Sequence, residues 1–247
     1  GATAPGQEAV LAKLGIDEAR IGAPVRATME TVELGRTRDG IPCRFDANAA
    51  SADAILVIAR VKSHTSFDRP IESGLCKMLA VGLGKQAGAV NVHRLGPKGF
   101  TETIPDLAGI ALEQAKIACG LAVVENAGHQ IVTIEAVAPE AFAATDERLL
   151  QRAKSLLARL PFRQLDALLV EEIGKEISGS GMDYAVTGRT DLRGIPNPDH
   201  ILVSKLAVLR LTEATHGNAI GIGLADYMPR AAANGIDLKS MYENAIT

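Results

Sequence analysis

At 247 residues the chain can bury one large core or two medium ones, and with 47% hydrophobic and 22% charged residues it has an ordinary globular composition. A formal charge of −3, 3% aromatic residues and no Trp offer neither electrostatic pull nor stacking surfaces, so nucleic acid and membrane surfaces are not expected partners. Three scattered cysteines without a C-x-x-C pair (Cys43, Cys76, Cys119) read as reduced thiols, and with no membrane-length apolar run or signal pattern the expected location is cytoplasmic.

Taken along the chain, the opening Gly1, Ala2 and Thr3 with no Met, and the helical pattern that runs to Thr247, read as cut ends. Apolar residues recur at helical spacing over 7–14, and Gly15 supplies a stop. Residues 31–34 and 41–45 read as strands joined by a hairpin turn at Arg38, Asp39 and Gly40. The continuous apolar run 54–61 has the pattern of a strand buried on both faces. Ser73 is placed to cap a helix that runs to Val81 and stops at Gly82 and Gly84, after which His93 closes a short second strand. A helix over 104–119 carries Pro105 in its first turn, and strands at 121–124 and 130–137 flank a turn at 125–128. Thr145 caps a helix over 146–160, strands follow at 165–172 and 201–211, and helices from about Ala219 and Asp237 close the chain. This alternation argues an α/β class with mixed or mainly parallel sheets. The polar break at 139–145 divides it into two α/β domains, 1–143 and 144–247, with an active-site cleft expected between them.

The glycine-rich runs do not carry phosphate chemistry. Leu79 stands where a P-loop needs its first Gly, no Ser or Thr follows Lys85, and Gly221 and Gly223 lack the third Gly of a dinucleotide fingerprint. The small and polar residues 178–183 follow a buried strand, where open α/β sheets place ligand loops, and Lys175 there could bind a carboxylate; a solvated loop is the alternative. Of five histidines, His129 and His200 read as surface residues and His216 as a lesser candidate. His64 ends a strand beside polar Thr65, Ser66 and Asp68, which could set its tautomer and pKa, and His93 offers a neutral imidazole suited to nickel, zinc or iron.

Lys77 is flanked by Leu75, Cys76, Met78, Leu79 and Ala80. A buried ammonium tends to lose its proton, which leaves three outcomes. The lysine snorkels to the surface, forms a Schiff base as a low-pKa amine, or is consumed in an amide-type bond to a cofactor, which removes its charge.

At these residues the sequence resembles the nickel-pincer lactate racemase family and its 2-hydroxy-acid racemase and epimerase relatives. The resemblance is specific over roughly 54–94, through Glu72, Ser73, Gly74, Leu75, Cys76 and Lys77 to His93, and looser elsewhere. It implies that Lys77 is joined through a thioamide to a nickel-pincer nucleotide, a pyridinium-3-thioamide-5-thiocarboxylic acid mononucleotide, and that His93, sixteen residues on as in the family, ligates the nickel. It implies His64 as a catalytic acid–base, at a longer spacing from Lys77 than in lactate racemase itself, and Lys175 as the substrate-carboxylate lysine. The reaction it implies is inversion of the hydroxyl-bearing carbon of a 2-hydroxy acid by reversible hydride transfer, which avoids deprotonating a very weak carbon acid. Cofactor-biosynthesis enzymes are then implied partners. The family's carboxylate-binding arginine and second catalytic histidine would lie upstream of Gly1.

Two other readings stay open. In a pincer-free metal enzyme, His64 and His93 would bind zinc or iron with Asp68 or Glu72. In a non-catalytic ligand-binding relative or fragment, the fold would persist without activity.

Overall fold

The computed structural model describes residues 3–65, 68–96, 98–190 and 196–246. The chain divides into two compact units, Gly1–Lys62 with Arg69–Ala153, and Ser63–Asp68 with Lys154–Thr247. The sequence set the change of domain at 143/144. The first unit instead keeps the chain to Ala153, because the helix spanning this region buries Phe142, Leu149, Leu150 and Ala153 at helical spacing in that unit.

The first unit opens with α1 (Ala4–Lys13), whose first turn is capped by Thr3 Oγ1 accepting from Gly6 N at 3.2 Å, with Gly15 at φ 76° beyond its end. After α2 (Glu18–Ile21), β1 (Thr31–Arg36) and β2 (Pro42–Asp46) form the expected antiparallel hairpin, with Thr31 opposite Asp46 and Gly40 at φ 79° in the turn. The short helix α3 (Ala47–Ala50) leads to β3 (Ile55–Arg60). Next come α4 (Leu75–Lys77), continued by a π-helical turn over Met78–Gly82, and α5 (Lys85–His93). A second π-helical turn, Gly99–Thr103, runs into α6 (Ile104–Gln114), then β4 (Ile117–Glu125) and β5 (Ile131–Val137). A 3₁₀ turn and α7 (Phe142–Ser155) complete this part of the chain.

β3 pairs with β4 in parallel and β4 with β5 antiparallel, giving a mixed three-stranded sheet. One face of it joins Phe45, Leu75, Leu79, Phe100, Ile104, Leu107 and Phe142 in the core. The expectation that β3 is buried on both faces fails. Val57 and Ala59 are 3% and 4% exposed, but Leu56 and Ile58 are 51% and 57% exposed, so apolarity is continuous while burial follows the two-residue pleat.

Three element boundaries also differ from the sequence reading. The helix expected over 104–119 stops at Gln114, because Ala115 turns extended and Ile117 pairs with Ile55 on β3. The helix expected over 146–160 begins at Phe142, so Thr145 is a buried helical residue rather than a cap. Ser73 does not cap α4 either: its hydroxyl donates to the Lys62 carbonyl at 2.6 Å and accepts from the Lys62 N–H at 2.7 Å.

In the second unit β6 (Gln164–Ile173) and β7 (Leu202–Leu211) run parallel, with α8 (Tyr184–Thr187) between them in sequence. Ile173, Met182, Ile201, Val203, Leu206, Val208 and Leu224 form its core. Near Ala219, where a helix was expected, Gly221 at φ 91° opens only a 3₁₀ turn over Ile222–Leu224. The helices here are α9 (Arg230–Asn234) and α10 (Leu238–Ile246), the latter beside Asp237, whose carboxylate accepts from Lys239 N at 3.0 Å. The class is therefore α/β with parallel and mixed sheets, as the alternation implied. Among the described residues no helix is long and apolar enough to cross a membrane, and the three cysteines are free.

Candidate active site around Lys77 and His93

The helix that carries Lys77 starts on a glycine. Gly74 has φ 92°, and a Cβ there would lie 2.1 Å from Asp146 Oδ1, so the position demands glycine both for its backbone and for space. The Asp146 carboxylate fills that space. Oδ1 accepts from Leu75 N at 2.9 Å and Oδ2 from Cys76 N at 2.8 Å. Two orphan donors of the first turn are thus satisfied by a side chain from α7 that is 1% exposed. Burial raises the Asp146 pKa to about 6 against the pull of these N–H groups, while burial and then the Asp146 charge hold Cys76 as a thiol.

Lys77 follows directly and is half-buried, with Nζ 4.6 Å from the centroid of the Phe100 ring. Desolvation, reinforced by the charge of Lys62 and opposed by that of buried Glu72, lowers its pKa to about 8. The amine is therefore far more available as a free base near neutral pH than an ordinary lysine.

His93 ends helix α5, not the strand the sequence suggested. The glycines explain the difference. A Cβ at Gly84 or Gly88 would approach the Ala80 carbonyl oxygen to 2.4 or 2.8 Å, so this run lets α5 fold back closely on the π-helical turn. Gly99 does the same at the far end, where a Cβ would meet the Val92 oxygen, and Phe100 follows it beneath both candidate side chains. The His93 and Phe100 ring centroids are 5.6 Å apart. Nδ1 of His93 lies 2.8 Å from the Ala89 carbonyl, which only accepts, so Nδ1 carries the proton and Nε2 keeps the lone pair. Burial and then the Lys77 charge lower the His93 pKa, favouring the neutral ring.

Two predicted residues belong to the second unit. His64 is half-buried, in a segment held by Tyr184 N donating to the Thr65 carbonyl at 2.8 Å. Lys175 is exposed just past β6, its backbone N–H donating to Thr215 Oγ1 at 3.3 Å, and desolvation depresses its pKa. It stands at the carboxyl ends of parallel β6 and β7, where Gly181 and Gly221 at positive φ let two loops meet. The structure brings Lys77 and His93 to one aromatic wall; His64 and Lys175 share the other unit with each other.

The remaining candidates take other roles. Asp68 pairs with Lys154 at 2.8 Å, and Glu72 accepts from Arg69 N at 2.7 Å. No group of three or more His, Cys, Asp or Glu side chains poised for a metal occurs among the described residues. His129 and His216 are exposed at positive φ. His200, read as a surface residue, is half-buried, with Nε2 2.8 Å from the Ala185 carbonyl, and lines a cavity of about 170 Å³. Sequence reasoning missed Phe100 and Asp146. Phe100 follows a Gly inside a turn, and Asp146 sits at the start of an apparent helix, where a solvated acidic cap is the ordinary reading.

Parallel and mixed sheets in two α/β units, with a lysine and a histidine meeting on helices beside the first sheet, define the class of fold. No family model and no curated protein sequence matches the chain. Among solved structures, that of the lactate racemase apoprotein from Thermoanaerobacterium thermosaccharolyticum is similar to it at 13% identity and a TM-score of 0.50, over 90% of this chain and 69% of that one. The likeness is one of fold, a distant structural relationship.

Proposed function

We propose that the protein is a racemase or epimerase of a 2-hydroxy acid that works with a nickel-pincer nucleotide held by Lys77 and His93. The observation that carries this reading is the meeting of an easily deprotonated amine and a tautomer-fixed imidazole on the Phe100 ring. Both suit such a group. Lys77 supplies a nucleophilic nitrogen whose burial stops being costly once an amide-type bond removes the charge, and His93 Nε2 is a lone-pair donor of the kind nickel accepts. Its Nδ1–H bond to a backbone carbonyl is the outer-shell contact that usually orients a ligating histidine.

When bound, the group supplies a hydride acceptor. The chain's own residues do the rest. His64 takes the proton of the substrate hydroxyl and returns it, a role worth roughly 10²–10⁴ in rate. Lys175 holds the carboxylate by charge. The fold shared with a lactate racemase apoprotein is consistent with this assignment, and among the described residues no cluster of three or more His, Cys, Asp or Glu side chains favours the pincer-free arrangement.

The test is intact mass and nickel content of protein made together with pincer-building enzymes. A mass increase that maps to the Lys77 peptide, with nickel lost in His93→Ala, is expected, followed by interconversion of the enantiomers of a 2-hydroxy acid. An unmodified chain without nickel from a cofactor-competent host would overturn the reading and favour a ligand-binding relative.

A further inference from the structure

We propose that Asp146 is the positioning residue of the Lys77 amine: its carboxylate, brought in from α7, anchors the first turn of the lysine's helix and so holds the amine in its pocket. This deepens the reading above in that Lys77 is the attachment point, but the contact and its test do not depend on any cofactor.

The argument starts from how short the helix is. α4 is three residues long before it passes into a π-helical turn, and Gly74 at its start has no side chain with which to cap it. An element of this length has little stability of its own, since nucleating a first turn is unfavourable. Its buried donors at Leu75 and Cys76 both go to the two oxygens of one carboxylate at 2.9 and 2.8 Å. A buried donor left unmet is costly, so release of Asp146 is expected to free this turn before it frees the hydrophobic core.

The chemistry is also unusual for a cap. Ordinary caps are Ser, Thr, Asn or Asp at the residue before the helix, in contact with water. Here the cap is 1% exposed and comes from about seventy positions away, while Gly74 cedes the space a Cβ would occupy. A buried carboxylate is an expensive way to satisfy two amides. It does, however, fix the turn from outside the segment, leaving every side chain of α4 free for the core and for Lys77. Desolvation and the charges of Lys62 and Glu72 act on the amine itself, and the centroid of the Phe100 ring lies 4.6 Å from it. The contacts of Asp146 are instead with the backbone of the turn that carries Lys77, so its proposed action is one of position.

The experiment compares wild type and Asp146→Asn as cofactor-free full-length chains. The amide variant keeps one acceptor and turns a donor toward the other N–H, so one contact breaks while the shape is kept. Two quantities are read: hydrogen exchange at the Leu75 and Cys76 amides, and the pH midpoint for acetylation of Lys77 by a small active ester, followed by peptide mass. Faster exchange at the two amides with an acetylation midpoint raised by about one pH unit or more, toward an ordinary lysine, is the expected result, because a loosened turn lets water reach the amine. Faster exchange with an unmoved midpoint would overturn the proposal and make Asp146 a structural cap only. Should Asp146→Asn fail to fold, the same pair of readings is taken on Asp146→Glu, which keeps the charge but moves the acceptor by one methylene. A wild-type chain that never acquires a cofactor would count against the racemase reading while leaving the acetylation shift, and hence the positioning role, intact.

Discussion

Replacing Lys77 by Met in the cofactor-free protein removes a charge from a desolvated pocket and keeps an unbranched chain of similar length. The folded pKa is lowered from 10.5 to about 8, so below pH 8 both folded and unfolded chains carry the proton and the folded state bears the whole burial penalty. Between the two values the unfolded chain holds the proton and the folded chain does not, so stability rises with pH; above 10.5 the penalty is gone. The shift corresponds to about 3 kcal/mol at neutral pH, on about 1.4 kcal/mol per pKa unit. Lys77→Met is therefore expected to unfold at higher urea than wild type near pH 7. Its advantage should shrink by about 2 kcal/mol between about pH 7 and pH 9.5 as the wild-type amine deprotonates. Urea titrations at a series of pH values measure this directly. A Met variant that is less stable than wild type, or whose difference from it is flat with pH, would refute the claim that the ammonium is strained by burial.

Lys85, eight residues on, should respond in the opposite sense: it forms an ion pair with Asp46 at 2.8 Å with both side chains nearly covered, so Lys85→Met strands a buried carboxylate and is expected to cost about 3–5 kcal/mol in a urea titration. The two faces of β3 should separate as sharply. Val57→Thr, at a 3% exposed position, is expected to cost about 1–3 kcal/mol, and Ile58→Thr, at a 57% exposed one, to stay within about 0.5 kcal/mol of wild type by thermal or urea unfolding. Gly74→Ala combines φ 92° with a Cβ 2.1 Å from Asp146 Oδ1, and a loss of at least about 3 kcal/mol is expected. That loss should be smaller in an Asp146→Ala background, because the steric half of it disappears with the carboxylate.

Much of the fold was legible because it rests on local signals. The hairpin turn at Gly40, the stop at Gly15 and the strands expected at 165–172 and 201–211 follow from backbone freedom or from runs of β-formers that have few alternatives. The misreadings arise where a distant partner decides. Ile117 and Cys119 look like the end of a helix until Ile55 and Leu56 of β3 offer them parallel neighbours. His93 reads as a strand end among Val and Ala because nothing local reveals that Gly84 and Gly88 allow a backbone approach within van der Waals distance of Ala80. At the site, the lysine and its apolar flanks were visible, and so was the histidine. The wall between them was not, since Phe100 reaches Lys77 only through the packing of a second π-helical turn on α5. The partner of the Lys77 helix was hidden for the same reason: Asp146 is an ordinary acidic residue until Gly74 opens a space of its size.

These pieces bear on one another through the charge at Lys77. A lysine at this depth lowers the stability of its unit for as long as it is an ammonium, and two events end that loss: deprotonation near pH 8, or formation of a bond at Nζ that leaves no proton to carry. Natural cores rarely retain such a residue where an apolar one of the same length would fit. Here the surroundings do more than tolerate it. A buried carboxylate pins the preceding turn, three glycines let two helical segments close around the pocket, and an aromatic ring lies under the amine and beside an imidazole with one nitrogen already spoken for. Such a grouping is what the proposed use of the neutral amine and the imidazole lone pair together calls for.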